Sequence, residues 1–525
     1  MKISLVLCPF WDIHLPPLSL AILSACLKKE GYSVTMFDLN KILYNASNDA
    51  DKAMWEHSHF FQVLKSKNLV ELFFNENCKM VNFEVDRILN DKSSVIGFSV
   101  YNSTKEFSLK IAAEIKKRDK NKIIIFGGPE CFFEGDKLIK ENSVDIVVTA
   151  EGDEVFSKLL KCIKDGGNID SCKGIWHKKN TNIFYTGPGN YVADLNTLPK
   201  PDFAGLIDLY RNKEGAVLPI QSSRGCINHC AFCNEVVLGE KYRTMNAKRM
   251  VEEIVHAHNN YGVNHFYFVD SLINGNMEVL NTFCDLLIKH KLDLVIKGIE
   301  TKSNNSALLW SAHAVIRPEM NLKILNKMKQ AGCVYIVYGI ESGSQKVLNS
   351  INKNYLISTA YKVIKNTFKA GISCYIFTII GLPQENDKDF SKTMSFIKKI
   401  RPYIKNLMSQ NICMIFKGSC FDKMPMKYNI TDNKHSLFWE SNSGQNNYKI
   451  RLKRYDKLVS FTGKLGFKRV YLIEDSIVIK RMMLEDYSKY KSENKGTSSA
   501  EGLVKFKRIL LDGYKEISGI RKKSY

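Results

Sequence analysis

Three cysteines lie close together in the middle of the chain and could act as ligands for a metal centre. Cys226, Cys230 and Cys233 fall within eight residues, with three residues between the first two and two between the last two. An apolar run at residues 216–220 comes just before them and predicts a short strand that leads into a loop. Three thiolates on one loop can hold a cubane of iron and sulfur, which usually takes four cysteines. A cubane held by three would keep one iron open to a substrate or a cofactor.

This loop resembles the cluster loop of radical S-adenosylmethionine (SAM) enzymes. The resemblance implies a [4Fe–4S] cluster whose open iron binds the amino and carboxylate groups of SAM. In that family an electron from the cluster cleaves SAM and makes a deoxyadenosyl radical, and the electron comes from an external donor such as flavodoxin or ferredoxin. Phe232 matches the aromatic position that lies near the adenine of SAM in the family.

A zinc site is the alternative interpretation of the same loop. His229 stands beside Cys230, so ligation by three cysteines and one histidine is conceivable. Structural zinc sites, however, usually take two ligand pairs from separate segments, and the sequence has no second Cys-x2-Cys pair. A disulfide is disfavoured, because neighbouring thiols on one tight loop bridge poorly.

The composition is that of a globular protein with several domains. The chain has 525 residues, of which 45% are hydrophobic and 25% charged, and this length fits about two to four domains. The other cysteines have no regular spacing, which favours a reducing cytoplasm over an oxidising compartment. The net charge is +22, but the lysines are spread along the chain, which disfavours a nucleic-acid substrate. With no signal peptide and no apolar run of ~18 residues, the sequence predicts a cytoplasmic enzyme without a membrane span.

Strands and helices alternate over residues 1–165. The predicted strands lie at residues 2–8, 33–38, 95–100, 123–128 and 145–148. Continuous apolar strands that alternate with helices predict an α/β fold with a doubly wound parallel sheet of flavodoxin-like order. Ligands of such sheets bind at the carboxyl ends of the strands. Residues 45–90 interrupt the alternation and predict a helical insertion.

The same residues resemble the cobalamin-binding domain that precedes many radical SAM barrels. The similarity rests on Pro16–Ala21 and on two glycine turns, Phe126–Pro129 and Glu151–Glu154. It implies cofactor contacts at three glycines, since glycine lets the backbone approach a large flat ligand closely. These residues are Gly127, Gly128 and Gly152.

The chain departs from the cobalamin domains that ligate cobalt through histidine. Those domains carry Asp-x-His-x-x-Gly, whereas this chain has Pro17 in place of the glycine. His14 is therefore disfavoured as a cobalt ligand and is interpreted as a loop residue near the strand ends. Radical SAM relatives often bind cobalamin without a histidine ligand, so cobalamin is still expected here. The alternative is that the chain has the same fold but binds no cobalamin.

A second β/α series follows a linker. Residues 166–205 predict the linker, with a hairpin near 174–185, and residues 206–420 predict the radical SAM core. Counted with the strand before the cysteines, the series has about six units, which predicts a partial (β/α)6 barrel open on one side. Residues 292–306 predict an insertion before the third strand, and residues 421–525 predict a mainly helical C-terminal extension.

The ends of the barrel strands carry residues that match radical SAM motifs, and active sites of α/β barrels lie at these ends. The resemblance implies that Asp270 lies near the amino group of SAM. It places Glu341 and Ser342 in the fourth-strand motif, where Glu341 would accept hydrogen bonds from the ribose hydroxyls. Gly381 belongs to the fifth-strand turn that passes the adenine, and Arg317 matches a further family position. The alternatives are a strand-end or capping role for Asp270 and an ordinary turn at Gly381.

Together these resemblances imply a radical SAM enzyme that methylates an unactivated carbon with the help of cobalamin. The substrate would be a small molecule, a lipid or a peptide, and no catalytic base can be nominated. Rearrangement or cyclisation without methyl transfer is the first alternative. Methylthiolation of tRNA is a second, although the first domain lacks the three cysteines which that family uses for another cluster. A zinc-stabilised binding protein without catalysis is a third.

Overall fold

The structure is a computed structural model that describes residues 1–56, 67–212, 215–239, 241–296, 308–432 and 435–467. The chain divides into two compact units, the first of which comprises Met1–Ala216, while the second begins at Val217. Parts of the predicted insertions and of the C-terminal extension, residues 57–66, 297–307 and 468–525, lie outside the described residues. Among the helices within the described ranges, none is both long and apolar enough to cross a membrane.

The first unit is built on a seven-stranded sheet. Its strands are β1 (Lys2–Leu7), β2 (Ser33–Asp38), β3 (Val95–Ser99), β4 (Ile123–Gly127), β5 (Ile146–Val148), β6 (Ile175–Lys179) and β7 (Asn182–Tyr185). They are arranged in the order β2-β1-β3-β4-β5-β6-β7, in which β1 to β5 are parallel and the last two pair antiparallel. This order confirms the predicted flavodoxin-like, doubly wound sheet.

Helices cover both faces of this sheet because its strands are apolar on both sides. They are α1 (Leu18–Lys29), α2 (Leu39–Ala46), α3 (Asp49–Glu56), α4 (Lys67–Glu76), α5 (Cys78–Asn90), α6 (Lys105–Arg118), α7 (Pro129–Leu138) and α8 (Gly152–Lys164). On one face, Leu20 of α1 and Phe156 of α8 pack with Ile3 and Leu5 of β1. Side chains alternate along a strand, so Ser4 and Val6 point to the other face.

The described part of the predicted insertion is helical and closes that other face with aromatic rings. Trp55 of α3 and Phe73 of α4 lie with their ring centres 4.7 and 5.8 Å from that of Phe10. Phe107 of α6 completes the group at 5.9 Å from Phe10. Edge-on packing of this kind is worth about 0.5–1.5 kcal/mol per pair beyond the buried area, so the insertion contributes to the core of the first unit.

The predicted hairpin at 174–185 is the β6–β7 pair, and it extends the sheet of the first unit. Gly174 permits this, because it has φ of +83° and a Cβ there would lie 2.8 Å from the Cβ of Ala150. Later residues of the predicted linker also bind to this unit. Asp202 accepts hydrogen bonds from Ser24 and Lys28 of α1, at 2.9 and 2.5 Å.

The second unit contains six parallel strands in the order β15-β14-β13-β12-β11-β8. They are β8 (Val217–Ile220), β11 (His265–Phe268), β12 (Leu309–Ala314), β13 (Cys333–Glu341), β14 (Ser373–Ile380) and β15 (Asn406–Ile412), with the short pair β9 (Ser223–Arg224) and β10 (Arg243–Thr244) between the first two. The two end strands of this sheet do not pair with each other. It therefore forms the predicted partial (β/α)6 barrel.

Helices alternate with these strands and pack on one face of the curved sheet. They are α9 (Glu235–Gly239), α10 (Ala247–Tyr261), α11 (Met277–Ile296), α12 (Leu322–Gln330), α13 (Gln345–Ser350), α14 (Ile357–Lys369) and α15 (Asp387–Ile400). Phe268 and Trp310 meet Phe283 of α11, with ring centres 5.7 and 5.6 Å away. The Tyr338 hydroxyl lies 3.0 Å from that of Thr367 in α14. The alternate side chains of these strands must then point to the inner face.

The described part of the C-terminal extension consists of α16 (Cys420–Lys423), the pair β16 (Ile430–Asp432) and β17 (Glu440–Ser441), and α17 (Tyr448–Lys464). Asn447 caps α17 by accepting the backbone N–H of Ile450 at 3.0 Å. Arg454 then binds the segment after β14, with 2.9 Å to Asp387 and 3.3 Å to the carbonyl of Glu385. The extension is therefore fastened to the barrel close to the carboxyl end of β14.

Replacing Tyr210 by phenylalanine is expected to destabilise the first unit more at pH 8 than at pH 5. The Tyr210 hydroxyl donates to buried Asp38 at 2.5 Å. Burial raises the pKa of Asp38 from 3.8 to about 6, against the lowering effect of Tyr210 and Lys41. The stability that protonated Asp38 contributes is therefore fully present below pH 3.8 and is lost as the pH rises through about 6. Above that pH the charged Asp38 carboxylate depends on the Tyr210 hydroxyl as a donor. Loss of this hydroxyl then lowers the free energy of unfolding by about 1–3 kcal/mol.

Thermal unfolding at the two pH values measures this difference. Tyr185→Phe is the matched control, because the Tyr185 ring is exposed at the edge of the sheet. An equal fall in melting temperature at both pH values for Tyr210→Phe would contradict the assigned role of the Asp38 charge.

Candidate metal centre

The loop with the three cysteines follows β8. Its first residues form the short strand β9, which pairs with β10. Met245, just after β10, donates its N–H to the carbonyl of Ser222 at 2.8 Å. Gly225 immediately precedes Cys226 and has φ of +75°. A Cβ at Gly225 would lie 2.6 Å from the carbonyl oxygen of Lys241. Only glycine fits here, so the chain can turn sharply into the cysteine loop.

The three thiols lie in a partly buried loop and none of them forms a disulfide. The backbone N–H of Asn228 donates to Sγ of Cys226, and that of Glu235 donates to Sγ of Cys233, both at 3.4 Å. Burial raises the pKa of all three thiols, that of Cys233 to about 12. As thiolates they therefore require a positive centre, which the irons of a cluster provide.

The donors of the cysteine loop are three sulfurs on one short segment. Within the ranges that the structure describes, no three His, Cys, Asp or Glu side chains are grouped around one metal ion. A cubane is larger than an ion, and each of its cysteines binds a different iron, so the thiolates that hold it stand further apart. Backbone N–H groups donate to two of the three sulfurs, and such donors favour sulfur in its anionic, cluster-binding form.

A buried ion pair lies beside the cysteine loop, at the carboxyl end of β13. Oε1 of Glu341 is 3.0 Å from Nζ of Lys353, and both side chains are less than 10% exposed. Burial lowers the pKa of Lys353, but the charges of Glu341 and of the Cys230 and Cys233 thiols outweigh this and raise it. Lys353 therefore stays protonated and faces both the carboxylate and the thiols.

The backbone of β13 is shaped to place Glu341 at this point. Glu341 has φ of +61°, in the left-handed region that favours glycine, and such strain tends to occur at functional positions. A Cβ at Gly339 would collide with the Glu341 carboxylate. Tyr355 fixes the same bend, since its hydroxyl donates to the carbonyl of Ile340 at 2.6 Å.

Phe232 completes this group, and its predicted position near the adenine of SAM stays a prediction. Nζ of Lys353 is 5.7 Å from the centre of the Phe232 ring, a distance that allows a cation–π contact. The structure thus brings together Cys230, Phe232, Glu341 and Lys353. Lys353 was missed at the level of sequence, because it belongs to no motif and reaches the site only through the turn at Asn352, which has φ of +57°.

Asp270 is buried at the end of β11 and binds the start of the cysteine loop. It accepts the hydroxyl of Ser222 at 2.7 Å and the backbone N–H of Ser223 at 2.6 Å. Burial raises the pKa of Asp270 to about 7, although these bonds lower it. These contacts support the strand-end role, and contact with the amino group of SAM stays a prediction.

Arg317 and Ser342 hold neighbouring turns in place. Arg317 donates to the carbonyls of Asn274 and Gly275 at 2.8 and 2.9 Å, which shapes the loop after β11. The Ser342 hydroxyl lies 3.1 Å from that of Thr393 in α15 and accepts the N–H of Ser344 at 3.2 Å. Their predicted roles in cofactor binding remain predictions, while their contacts in this structure are with the protein itself.

Gly381 lies in a left-handed turn after β14 that is packed against the C-terminal extension. Its φ is +74°, and a Cβ would collide with the side chain of Arg451. Arg451 is wholly buried, with its guanidinium carbon 3.9 Å from the centre of the Trp439 ring. It donates to the carbonyls of Leu437 and Trp439 at 2.5 and 3.0 Å. Neither Arg451 nor Trp439 could be linked to Gly381 from sequence, because they lie far along the chain.

The extension also covers the cysteine loop. Ala231, between Cys230 and Phe232, is fully buried in a core that includes Trp439, Phe421 and Leu382. Its carbonyl accepts the N–H of Phe421 at 3.2 Å, and its own N–H donates to Ile351 at 3.0 Å. The loop is thereby fixed from both sides by elements of the second unit.

The glycines predicted to contact cobalamin lie at the carboxyl edge of the sheet in the first unit. Gly128 has φ of +108°, and a Cβ there would lie 2.8 Å from the carbonyl of Val100, so close packing alone explains it. A Cβ at Gly127 would meet only the Cβ of Val148, at 3.8 Å, and one at Gly152 would come within 3.2 Å of Leu23. Gly127 is thus the one of the three at which close packing does not itself require glycine.

Two aromatic rings stand at the same edge. Trp11, after β1, stacks on Tyr101, after β3, with ring centres 3.8 Å apart and planes 16° apart. The strand order reverses between β1 and β3, which is where ligands of doubly wound sheets bind. His14 is exposed in the loop after β1, as its interpretation as a loop histidine requires. The edge therefore carries an aromatic pair at the point where ligands of such sheets bind.

Comparison with known proteins agrees with this arrangement. Residues 220–397 match the radical SAM superfamily. The chain is 25% identical over 309 residues to an uncharacterized methyltransferase of Pyrococcus horikoshii, covering 58% of this chain and 64% of that protein. It is also 25% identical over 309 residues to the anaerobic magnesium-protoporphyrin IX monomethyl ester cyclase of Synechocystis, covering 57% and 58%. The match thus spans less than two thirds of either relative.

A solved structure shares the fold over almost the whole length. The radical SAM methyltransferase TsrM from Kitasatospora setae, with cobalamin and a [4Fe–4S] cluster bound, superposes with a TM-score of 0.66 at 12% identity. The likeness covers 98% of this chain and 99% of that one. Residues 220–397 are therefore a radical SAM domain, and both units have the folds found in a cobalamin-binding radical SAM enzyme.

Proposed function

We propose that this protein is a cytoplasmic radical SAM enzyme that uses cobalamin to methylate an unactivated carbon of its substrate. The observation that carries the proposal is the group formed by the three-cysteine loop, Phe232 and the buried Glu341–Lys353 pair at one end of a partial barrel. The doubly wound sheet of the first unit supports the cobalamin part. Substrate and reaction type are proposals, because the curated relatives are matched over only part of their length.

Cys226, Cys230 and Cys233 would hold a [4Fe–4S] cluster, and Glu341 and Phe232 would hold SAM. The bound cluster would supply the single electron needed to cleave SAM. The residues of the chain prepare the site for this. Lys353 lies near the Cys230 and Cys233 thiols and favours their charged form, and the burial of Ala231 keeps water from that side of the loop.

Glu341 would bind two hydroxyls of a ribose. Its Oε1 is engaged by Lys353, which fixes the plane of the carboxylate, and a carboxylate has about four acceptor positions in all. The remaining positions can accept hydroxyl donors, and hydrogen bonds to a charged acceptor are roughly twice as strong as neutral ones. Lys353 therefore positions Glu341, whereas Glu341 would touch the ligand.

The inner face of the barrel supports a substrate with little charge. Ring side chains from four adjacent strands, β11 to β14, lie on this face: Tyr267, His313, Tyr335, Tyr375 and Phe377. The Tyr267 hydroxyl lies 2.7 Å from Nε2 of His313. Burial lowers the pKa of His313 to about 4, so the ring is uncharged at neutral pH. Flat or apolar substrates would pack well on this surface.

Cyclisation without methyl transfer is the second candidate reaction. The name of the Synechocystis cyclase gives a magnesium porphyrin as its substrate. The aromatic inner face of the barrel supports such a flat substrate equally well. Methyl transfer is preferred because the first unit has the fold found in a cobalamin-binding enzyme and carries the Trp11–Tyr101 stack at the edge where ligands of such sheets bind. An external one-electron donor is required in either case.

Metal content together with the fate of a labelled methyl group tests the proposed function. The chain, purified anaerobically with cobalamin supplied, is expected to contain about four irons, as one cubane requires, and about one cobalt, as one bound cofactor requires. Incubation with SAM labelled in its methyl group is expected to label the bound cobalamin. Iron without cobalt and without labelled cobalamin would favour cyclisation, and zinc without iron would overturn the enzyme assignment.

Cys230→Ala is expected to abolish SAM cleavage, because two thiolates cannot hold the cubane as three do. Deoxyadenosine formation with dithionite as reductant, measured with the iron content, reads out the effect. Cys78→Ala is the matched control, since Cys78 is exposed in the first unit. Full cleavage by Cys230→Ala would show that the cluster is held elsewhere.

Glu341→Gln is expected to weaken SAM binding about ten-fold, because it exchanges a charged acceptor for a neutral one of the same shape. The dissociation constant of SAM for the cluster-loaded chain gives the measurement, with iron content checked in parallel. Glu278→Gln, at the exposed start of α11, is the matched control. An unaltered constant at unchanged iron content would remove Glu341 from the SAM site.

A further inference from the structure

Two cysteines of the first unit have their sulfur atoms in contact near the end of α8. Sγ of Cys162 is 3.5 Å from Sγ of Cys172, which stands 10 positions further along the chain. Both are distant in sequence from the cysteine loop, and neither has a role in the proposed function. Two thiols in contact can be oxidised together by two electrons to a disulfide, which a single thiol cannot form within one chain.

The connection between α8 and β6 is folded so that it brings the two sulfurs together. Gly166 has φ of +64°, in the left-handed region that glycine adopts readily, and this lets the chain turn back after α8. The N–H of Gly167 donates to the carbonyl of Cys162 at 2.8 Å. The N–H of Cys172 donates to the carbonyl of Ile169 at 3.0 Å. The backbone on both sides of the contact is therefore fixed by hydrogen bonds of the connection itself.

The two thiols differ in their access to solvent. Cys172 is only 6% exposed and belongs to the core of the first unit, together with Leu159 and Ile175. Cys162 packs against the same core but is partly exposed. Burial and the neighbouring Cys162 thiol raise the pKa of Cys172 to about 11, so Cys172 is protonated at neutral pH. An oxidant in solution therefore reaches Cys162 first, and Cys172 lies behind it.

We propose that Cys162 and Cys172 form a redox-active dithiol that small disulfides, such as oxidised glutathione, convert reversibly into an intramolecular disulfide. The Cys162 thiolate attacks the glutathione disulfide, and one glutathione leaves as a thiolate. Cys172 then loses its proton to solvent and attacks the sulfur of Cys162, which releases the second glutathione. The protein loses two electrons and two protons, and oxidised glutathione gains two of each to give two thiols. Neither the cluster nor cobalamin takes part in this exchange.

The disulfide joins the last turn of α8 to the residues that lead into β6. Its formation needs little movement, because the sulfurs must approach by only about 1.5 Å to reach the ~2.05 Å of an S–S bond. A covalent link between these positions removes conformations from the unfolded chain and so stabilises the folded unit. The stability of the first unit then depends on the balance of thiols and disulfides around the protein.

Disulfide mapping in glutathione buffers tests the proposal on the full chain. The protein is equilibrated anaerobically at several ratios of reduced to oxidised glutathione, free thiols are blocked with N-ethylmaleimide, and tryptic peptides are analysed by mass spectrometry. Cleavage after lysine is expected to release residues 162–164 joined to residues 165–173, and dithiothreitol should separate the two peptides. Cys78, which is exposed in the same unit, reports accessibility alone and is expected to carry glutathione.

Two variants separate the exchange from simple exposure of a thiol. In Cys172→Ser, Cys162 is expected to stop at the mixed disulfide with glutathione, because the thiol that displaces the glutathione is gone. In the unchanged chain, oxidation is expected to raise the melting temperature of the first unit by about 5 °C, and Cys162→Ser should lose this rise. Cys78→Ser is the matched control and is expected to keep both the joined peptides and the rise.

Absence of the joined peptides from the unchanged chain, at ratios where Cys78 carries glutathione, would overturn the proposal. The two sulfurs would then be ordinary core packing, in which cysteine acts as a small apolar side chain. Equal amounts of glutathione on Cys162 in the unchanged chain and in Cys172→Ser would overturn it as well. Mapping of the unchanged chain decides the matter even if a variant fails to fold, and none of these results depends on SAM cleavage.

Discussion

The arrangement around the metal centre depends on the burial of a cation between thiols and a carboxylate. Lys353 lies 3.0 Å from Glu341 and faces Cys230 and Cys233. A buried ion pair gains little net stability, because both charges must leave water. Removing one partner would leave an uncompensated charge, at a cost of about 3–5 kcal/mol. The pair is better understood as a device that keeps a carboxylate in one orientation beside a loop whose thiols must become anionic.

Three backbone features follow from that pair. Gly339 leaves the space into which the Glu341 carboxylate folds, Glu341 itself adopts a left-handed conformation, and Tyr355 holds the carbonyl between them. None of these is favourable on its own, since a non-glycine residue in the left-handed region costs about 1–2 kcal/mol. The surrounding strands β12 and β14 are buried and parallel, and they supply the rigid frame in which such strain persists.

The fold could be predicted from sequence because its signals are local. Two series of apolar strands alternating with helices are sufficient to indicate a doubly wound sheet and a partial barrel, and the cysteine spacing is contained within eight residues. The contacts that shape the site are not local. Lys353 arrives through a turn after α13, and Arg451 meets Gly381 only once the C-terminal helix has folded back on the barrel. No periodicity or short motif encodes such encounters.

The glycines show how a correct motif can have more than one physical cause. Gly128 and Gly381 both match motifs of cofactor turns, yet each is already required by its neighbours, Val100 in one case and Arg451 in the other. At such positions a substitution would disturb the turn before it reached any ligand. Gly127 has no such neighbour, since the nearest atom to a Cβ there is 3.8 Å away. Close packing therefore accounts for Gly128 and Gly381, whereas a Cβ at Gly127 would make only an ordinary contact, so packing does not by itself require glycine there.

The C-terminal extension, together with the segment before it, has one side packed on the cysteine loop and one side exposed to solvent. Its inner side, through Trp439, Phe421 and Arg451, packs on Ala231 and on the turn at Gly381, and so fixes the positions of the thiols and of the β14 turn together. Its outer side carries Phe416, Met424 and Met426, which are exposed in the part of the chain that the structure describes. An element that already determines the geometry of a buried loop is well placed to determine what reaches that loop from solvent. The burial of Ala231 and the exposure of Met426 are then two consequences of the same short segment lying across the cluster loop.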